Sequence, residues 1–388
     1  MRIIPYGRQD INQDDIDAVV NALRSDFLTQ GPAVPAFEEA VASYCGARHA
    51  VAVNSATSAL HVACLALGVG KGDIVWTTPT SFVASANCAL YCGATVDFVD
   101  IDPLSYNLSV ARLAEKLAQA KKIDKLPKVV IPVHLCGQAC DMVSIHALSQ
   151  EYGFKIIEDA SHAIGGKYRG APIGNCSYSS ITVFSFHPVK IITTGEGGMA
   201  MTNEAPLAKR MRMLRSHGIS SSVADMQARP AQEIWNYQQI DLGFNYRMTD
   251  IQAALGLSQM LRLDSLVTKR HAIAKRYESL LSSIPVQTPW QQPDTYSAYH
   301  LYPIRIKRDQ KKVSQQQVYD AMQLVGINVN LHYIPIYRQP YYQAMGFHAG
   351  YCPEAENYYH EALSIPMYPT LTAAQQAKGV GVLHKVYG

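Results

Sequence analysis

The segment FSFHPVKIITTGEGG (184–198) sets one lysine, Lys190, among apolar residues, with hydroxyls on either side and glycines beyond. Burial disfavours an ammonium ion and lowers its pKa, and an amine that must attack a carbonyl needs that shift. A buried lysine with no such work is costly. Upstream, KIIEDASHA (155–163) ends an apolar run in Glu158 and Asp159. A carboxylate there can pair with a cation on a ligand, or it can cap the following turn. NSATSAL (54–60) also follows an apolar run, with small hydroxylated residues opening a helix. Free N–H groups at a helix start, together with Ser or Thr hydroxyls, cradle a phosphate; a plain N-cap by Ser55 or Thr57 is an equal reading. Phe82, in TSFVA, stands where an aromatic ring can stack on a flat ligand or pack into the core.

These four pieces fit one cofactor. Pyridoxal 5'-phosphate (PLP) needs a lysine for its aldehyde, a carboxylate for its ring nitrogen, donors for its phosphate and an aromatic for its ring face. In that arrangement Asp159 keeps the pyridine nitrogen protonated, so that the ring withdraws electrons. Lys190, once displaced, is the base that moves a proton between substrate and cofactor carbons.

Those residues need a scaffold. HAVAVN (49–54), IVWTT (74–78), TVDFVDI (95–101), KVVIPVH (128–134), KIIED (155–159), SITVFSF (180–186) and GGMAMTN (197–203) read as strands, with helical patterns over 57–67, 81–91, 110–121 and 142–152 between the first five. This rhythm predicts an α/β fold whose large domain holds a mainly parallel seven-stranded sheet covered by helices on both faces. The last two runs lie too close for an intervening helix, so they are expected to pair antiparallel. Ligands of such sheets gather at the C-terminal strand ends, where the residues above fall. From about Thr249 the pattern changes to a long helical stretch reaching about Leu281, a polar connector (290–295), a strand (300–307) and an amphipathic helix (313–326) ended by glycine. We therefore expect a large cofactor-binding domain over 1–250, including an N-terminal substrate-pocket segment, and a smaller C-terminal α/β domain over 251–388.

Composition removes other classes. Hydrophobic residues are 48% of the 388 and charged residues 17%, a profile that buries a core rather than staying disordered. The net charge, 34 − 31 = +3, has no concentrated basic stripe, so nucleic acid is not an expected partner. No run approaches the length of a membrane-spanning helix, and the start MRIIPYGRQDI does not read as a signal peptide. A cytoplasmic location is expected. The eight cysteines fall mostly in apolar segments and read as reduced core thiols. Cys88/Cys92 and Cys136/Cys140, the latter with His134 nearby, lack the usual zinc spacing, so no metal is expected.

Across essentially its whole length the chain resembles the sugar-nucleotide aminotransferases of the DegT/DnrJ/EryC1/StrS group, which have the PLP-dependent aminotransferase fold of type I. SFVASANCALYCGA, EDASHAIGGKYRG, FSFHPVK with TTGEGG, and LGFNYRMTDIQAALGLSQM carry the resemblance. It implies that Lys190 bonds the cofactor and Asp159 meets its ring nitrogen. It also implies that His162 sits against the ring or its hydroxyl, Phe82 stacks on the ring, and Ala56, Thr57 and Ser185 hold the phosphate. Asn245, in GFNYR, would reach that phosphate from the neighbouring subunit of a homodimer with shared sites. A sister branch has histidine in place of the lysine and dehydrates its substrate; lysine here favours amino transfer. Ala56 departs from the glycine of many relatives.

NSATSAL, LHYIPIYRQPYYQ and EALSIPMYP are similar to the branch that serves pseudaminic acid biosynthesis. That likeness implies transfer of an amino group from L-glutamate to C4 of a UDP-linked 4-keto-6-deoxy-N-acetylhexosamine. Tyr6, Asp26, Phe27, Leu28, Thr29, Asn330, Leu331, His332 and Tyr333 would line the sugar-nucleotide pocket. On residue type alone, Phe27 and Leu331 also read as packing residues and His332 as a core histidine. The alternatives are the same chemistry on another keto-sugar nucleotide, or a non-catalytic regulatory member of the family.

Overall fold

Seven short strands make the central sheet: β1 (His49–Val53), β2 (Ile74–Thr77), β3 (Thr95–Phe98), β4 (Val129–Ile131), β5 (Lys155–Asp159), β6 (Ile181–Ser185) and β7 (Gly198–Thr202). Their order is β1-β7-β6-β5-β4-β2-β3, and only β7 runs against the rest. The computed structural model describes residues 3–228, 233, 235–306 and 313–388. The β4 and β6 residues are all buried, because helices cover both faces, which is why these strands read as unbroken apolar runs rather than alternating ones. The expected antiparallel pairing of the last two runs is observed, from Thr182 opposite Met201 to Ser185 opposite Gly198.

Helices α1 (Gln13–Arg24), α2 (Ala33–Cys45), α3 (Ala56–Ala66), α4 (Ala84–Tyr91), α5 (Val110–Lys122), α6 (Met142–Tyr152), α7 (Ala205–Leu214), α8 (Asp250–Met260) and α9 (Leu263–Leu281) follow. The stretch expected as one helix from 249 to 281 is two, broken at Leu261 and Arg262. α8 begins at a capping box in which Thr249 and Gln252 satisfy each other's backbone donors. It packs on α1 and α2. In α9, Leu263, Leu266 and Val267 belong to the core of the large sheet, whereas Ile273, Ala274, Tyr277 and Leu281 belong to a second core. The change of core thus falls inside this helix.

The second core is built on a three-stranded antiparallel sheet of Val286–Gln287, Tyr302–Ile306 and Ala362–Ile365. The expected strand over 300–307 is shorter, and Lys307 lies outside the described residues. Ile4 also joins this core through a parallel bridge to Ile327, so the N-terminal residues lie beside the small unit and bring Tyr6 with them. Arg270, fully buried, donates through Nη1 to the carbonyls of Tyr299 (3.1 Å), His300 (3.2 Å) and Met367 (3.1 Å). That guanidinium ties α9 to the two segments on which His300 and the final strand are carried. Among the described residues no helix is long and apolar enough to cross a membrane.

Candidate active site

A cavity of about 790 Å³ opens at the C-terminal edge of the large sheet. Its walls come from the ends of β1, β5 and β6, the start of α3, the loop after β2, and residues 330–333 of the small unit.

Lys190 lies in the connection between β6 and β7. Phe186 anchors that connection: its N–H donates to Gly197 O (2.9 Å), and its carbonyl accepts Thr194 N–H (3.0 Å) and Thr193 Oγ1 (3.0 Å). Ile191 and Ile192 are buried beyond the lysine. Lys190 is part-buried in the cavity wall. Burial, opposed by the Asp159 anion, pulls its amine down to about 8.

Asp159 ends β5 and is buried. Its Oδ2 accepts from Ser85 Oγ (2.6 Å), and its Oδ1 accepts from Ser161 Oγ (2.6 Å) and Ser161 N–H (3.1 Å). Its neighbour Glu158 points to the opposite face, as strand alternation requires, and meets His134 Nε2 at 2.8 Å, Ser179 and Thr182. Those donors outweigh burial, which acts to raise a carboxylate, and hold Glu158 below its usual range. Of the two carboxylates that the sequence left open, Asp159 serves the cavity. Both ring nitrogens of His134 are engaged, Nδ1 accepting Cys140 N–H (3.1 Å) while Nε2 is on Glu158.

At α3, Ser55 is the N-cap and accepts Ser58 N–H (3.1 Å). The N-cap reading is observed at Ser55, and Ala56 and Thr57, at the first two helical positions where N–H groups have no intrahelical acceptor, line the cavity. Ser185, at the end of β6, lines the cavity beside them. Gly198 passes directly beneath this helix start.

His162 sits just behind the lining. Its Nδ1 accepts Cys136 N–H (3.3 Å), so its proton is on Nε2, which donates to Tyr333 Oη (3.3 Å). Burial first, then the charge on Lys190, holds this imidazole well below its ordinary pKa, and it is neutral. His300 packs against it at 4.4 Å between ring centres. Phe82 is 60% exposed at the mouth, 6.4 Å from the Tyr333 ring. Tyr6, Asn330, Leu331, His332 and Tyr333 all line the cavity. His332 accepts from Asn330 Nδ2 (3.4 Å) and so donates through Nδ1 to Ser364 Oγ (2.8 Å); burial pushes it down to about 3.

Five expected residues are not brought to the cavity of their own chain. Asp26, Phe27, Leu28, Thr29 and Asn245 are all exposed. Asp250 pins the first segment outward, since its carboxylate accepts Gly31 N–H (2.7 Å) and Ala33 N–H (2.8 Å), and its own N–H donates to Leu28 O (3.0 Å). Of the two residues that also read as packing, Phe27 is 53% exposed, whereas Leu331 is partly buried against the core as well as lining the cavity. Thr29 is bridged to Thr249, four residues beyond Asn245 in the chain. The residues that sequence reasoning missed are Ser85, Ser161 and His300. Only the first two carried a signal, in the four-residue spacing of Ser81 and Ser85 and the D-x-S run at Asp159.

The DegT/DnrJ/EryC1/StrS aminotransferase family model matches residues 9–384. The chain belongs to this family. Its relatives include the spore coat polysaccharide biosynthesis protein SpsC of Bacillus subtilis, 37% identical over 95% of this chain and 93% of that one. The UDP-4-amino-4,6-dideoxy-N-acetyl-beta-L-altrosamine transaminase of Campylobacter jejuni is 36% identical over 94% and 93%. Among solved structures, Helicobacter pylori PseC, an aminotransferase of pseudoaminic acid biosynthesis, superposes with a TM-score of 0.90 at 30% identity, covering 100% of this chain and 99% of that one. The PLP form of the sugar aminotransferase Spr1654 from Streptococcus pneumoniae gives 0.87 at 28%, covering all of both chains. The fold is thus that of the PLP-dependent aminotransferases, and the chain is a sugar aminotransferase.

Proposed function

We propose that the protein binds PLP and transfers the amino group of L-glutamate to C4 of a UDP-linked 4-keto-6-deoxy-N-acetylhexosamine, a step of pseudaminic acid biosynthesis in the cytoplasm. One observation carries the cofactor: the Lys190 amine and the Asp159 carboxylate open into the same cavity, beside a helix start with free N–H groups. The residues fit the group. Ala56, Thr57 and Ser185 would hold the phosphate, Asp159 the ring nitrogen, and His162 and Phe82 the ring. When bound, PLP supplies an aldehyde that takes up amines and a ring that withdraws electrons from the adjoining carbon.

The chain's own residues do the rest. Asp159, whose carboxylate accepts from three donors, would hold a proton on a ring nitrogen placed against its remaining acceptor direction. Lys190, with its pKa near 8, exists partly as the free amine near neutral pH, so Nζ can both accept and return a proton. His162 is fixed in one tautomer and contributes a neutral ring rather than a competing charge. Tyr333 and His332 stand across the cavity, where a sugar would be oriented.

We read the active unit as a homodimer with shared sites. Asn245 and Asp26–Thr29 are exposed, and Trp235 (74% exposed), Tyr237 and Leu242 (74%) are exposed large apolar side chains in the segment preceding Asn245. An exposed apolar set of this kind supports an isologous partner, whose cavity would receive Asn245 as a phosphate donor. The Campylobacter transaminase and Helicobacter PseC support the UDP-linked 4-keto substrate. The 37% identity to Bacillus SpsC, against 36% to the Campylobacter transaminase, favours, as a second reading, the same reaction on another keto-sugar nucleotide. The intact Lys190, Asp159 and helix start speak against a non-catalytic regulator. The test is a yellow holoenzyme that bleaches with glutamate and then aminates one member of a panel of UDP- and dTDP-linked 4-keto-sugars. A protein that takes up no PLP overturns the reading.

A further inference from the structure

Asp159 is supported more completely than a ring-binding carboxylate needs merely to be buried. Its backbone is fixed at both ends, N–H to Pro132 O (2.9 Å) and carbonyl from His134 N–H (3.0 Å). Ser85 donates to Oδ2 at 2.6 Å, and Ser161 donates twice to Oδ1. A carboxylate offers about four acceptor directions; three are used, and the one remaining belongs to Oδ2. Both serines line the cavity with Asp159.

Behind Ser85 stands Ser81, with 2.7 Å between the two hydroxyl oxygens. Both residues are buried. Ser85 has one hydroxyl proton, and the carboxylate, which only accepts, takes it. In the contact with Ser81 the Ser85 oxygen must therefore accept. The proton order runs one way, from Ser81 to Ser85 to Asp159, and such a chain polarises each successive bond.

We propose that Ser85 and Ser161 are positioning residues for Asp159, and that the directed chain Ser81–Ser85–Asp159 orients this carboxylate with one Oδ2 direction left to accept from a ring N–H. Three donors already aimed at the carboxylate fix where its oxygens stand and leave Oδ2 free to accept once more. The proposal rests on the PLP reading above and adds the residues that govern how firmly the ring nitrogen keeps its proton.

The experiment uses PLP labelled at the ring nitrogen, bound to the wild type and to Ser85→Ala, Ser161→Ala, Ser81→Ala and Ser85→Thr. Nitrogen NMR reads ring protonation across a pH series, and fluorescence titration reads cofactor affinity. Losing one hydrogen bond to a charged group should weaken PLP binding about tenfold in Ser85→Ala and in Ser161→Ala. In both, the ring nitrogen should lose its proton at lower pH than in the wild type. Ser81→Ala should move the same way by less, and Ser85→Thr, which keeps the hydroxyl, should stay near the wild type. Ring protonation unchanged in both alanine variants overturns the proposal. So does Ser85→Thr as damaged as Ser85→Ala, because the role is then packing. Thermal unfolding of the cofactor-free proteins separates loss of fold from loss of positioning. A wild type that takes up no PLP defeats the cofactor reading instead, and is recognised before any variant is compared.

Discussion

Gly198, the first residue of β7, lies so close under Ser55 that an added Cβ would stand 2.4 Å from the Ser55 carbonyl oxygen and 2.5 Å from Ala56 N. The neighbours are backbone, so they cannot swing aside. The strand that follows the lysine loop therefore supports the helix start that the phosphate would meet. Gly198→Ala is expected to cost about 1–3 kcal/mol of stability through overpacking. It should also weaken PLP binding, by tilting the N–H groups of Ala56 and Thr57. Thermal unfolding and a PLP titration check both; full affinity in the variant would separate the strand from the cradle.

Lys190 gives a prediction with a defined sign. Burial lowers its amine from the ordinary 10.5 to about 8. Between those values the unfolded chain binds more protons than the folded one, so this group's contribution to stability rises with pH across that window. Below about 8 the folded protein carries the full penalty. Lys190→Met should therefore stabilise the cofactor-free protein at pH 7, by about 1–2 kcal/mol after discounting for the lysine's partial exposure. The gain should fade as pH rises toward 10.5. Denaturant unfolding at a series of pH values measures it, and a gain that grows with pH contradicts the assignment. The same variant should have no turnover.

Much of this site was legible because its parts are local. The N-cap at Ser55, the lysine loop closed by glycines and the carboxylate ending an apolar strand each occupy a few consecutive residues. What stayed hidden depends on distant partners. Ser85 reaches Asp159 across 74 positions, and Arg270 fixes Met367 across 97, contacts that no periodicity encodes. The division of cores inside α9 was hidden for another reason. One amphipathic helix can serve two cores in succession without any change in its pattern, so Val267 and Ile273 read alike.

Asp159→Asn separates binding from chemistry. The amide is isosteric, but it brings a donor to a position already faced by Ser85 and Ser161 hydroxyls, one of which must turn away. The charge-assisted bond to a ring nitrogen is lost, at about 1.5–3 kcal/mol. The variant is expected to take up PLP and to lose most of its turnover, because a neutral side chain does not hold the ring nitrogen protonated. Steady-state rates within a few-fold of the wild type would mean that another residue meets that nitrogen.

The last prediction concerns the exposed Asn245. In its own chain it is bridged to Ser216 and lies outside the cavity, where the α3 start and Ser185 would meet a phosphate of about two negative charges. A second copy that presents Asn245 would supply a further donor. Thr29, bridged to Thr249, would bring Asp26–Thr29 to the same border. If the sites are shared, Lys190→Ala and Asn245→Ala homodimers should each be weak, for different reasons: one lacks the amine in both sites, the other the donor. A heterodimer of the two variants contains one site with both residues replaced and one with Lys190 from one chain and Asn245 from the other. That second site is intact. Co-refolded mixtures should thus regain activity up to about a quarter of the wild-type level per total chain, since random pairing makes half the dimers mixed and each mixed dimer has one of two sites restored. Separately tagged chains allow the mixed dimer to be isolated and assayed directly. A mixed dimer no more active than its parents means that Asn245 acts only within its own chain.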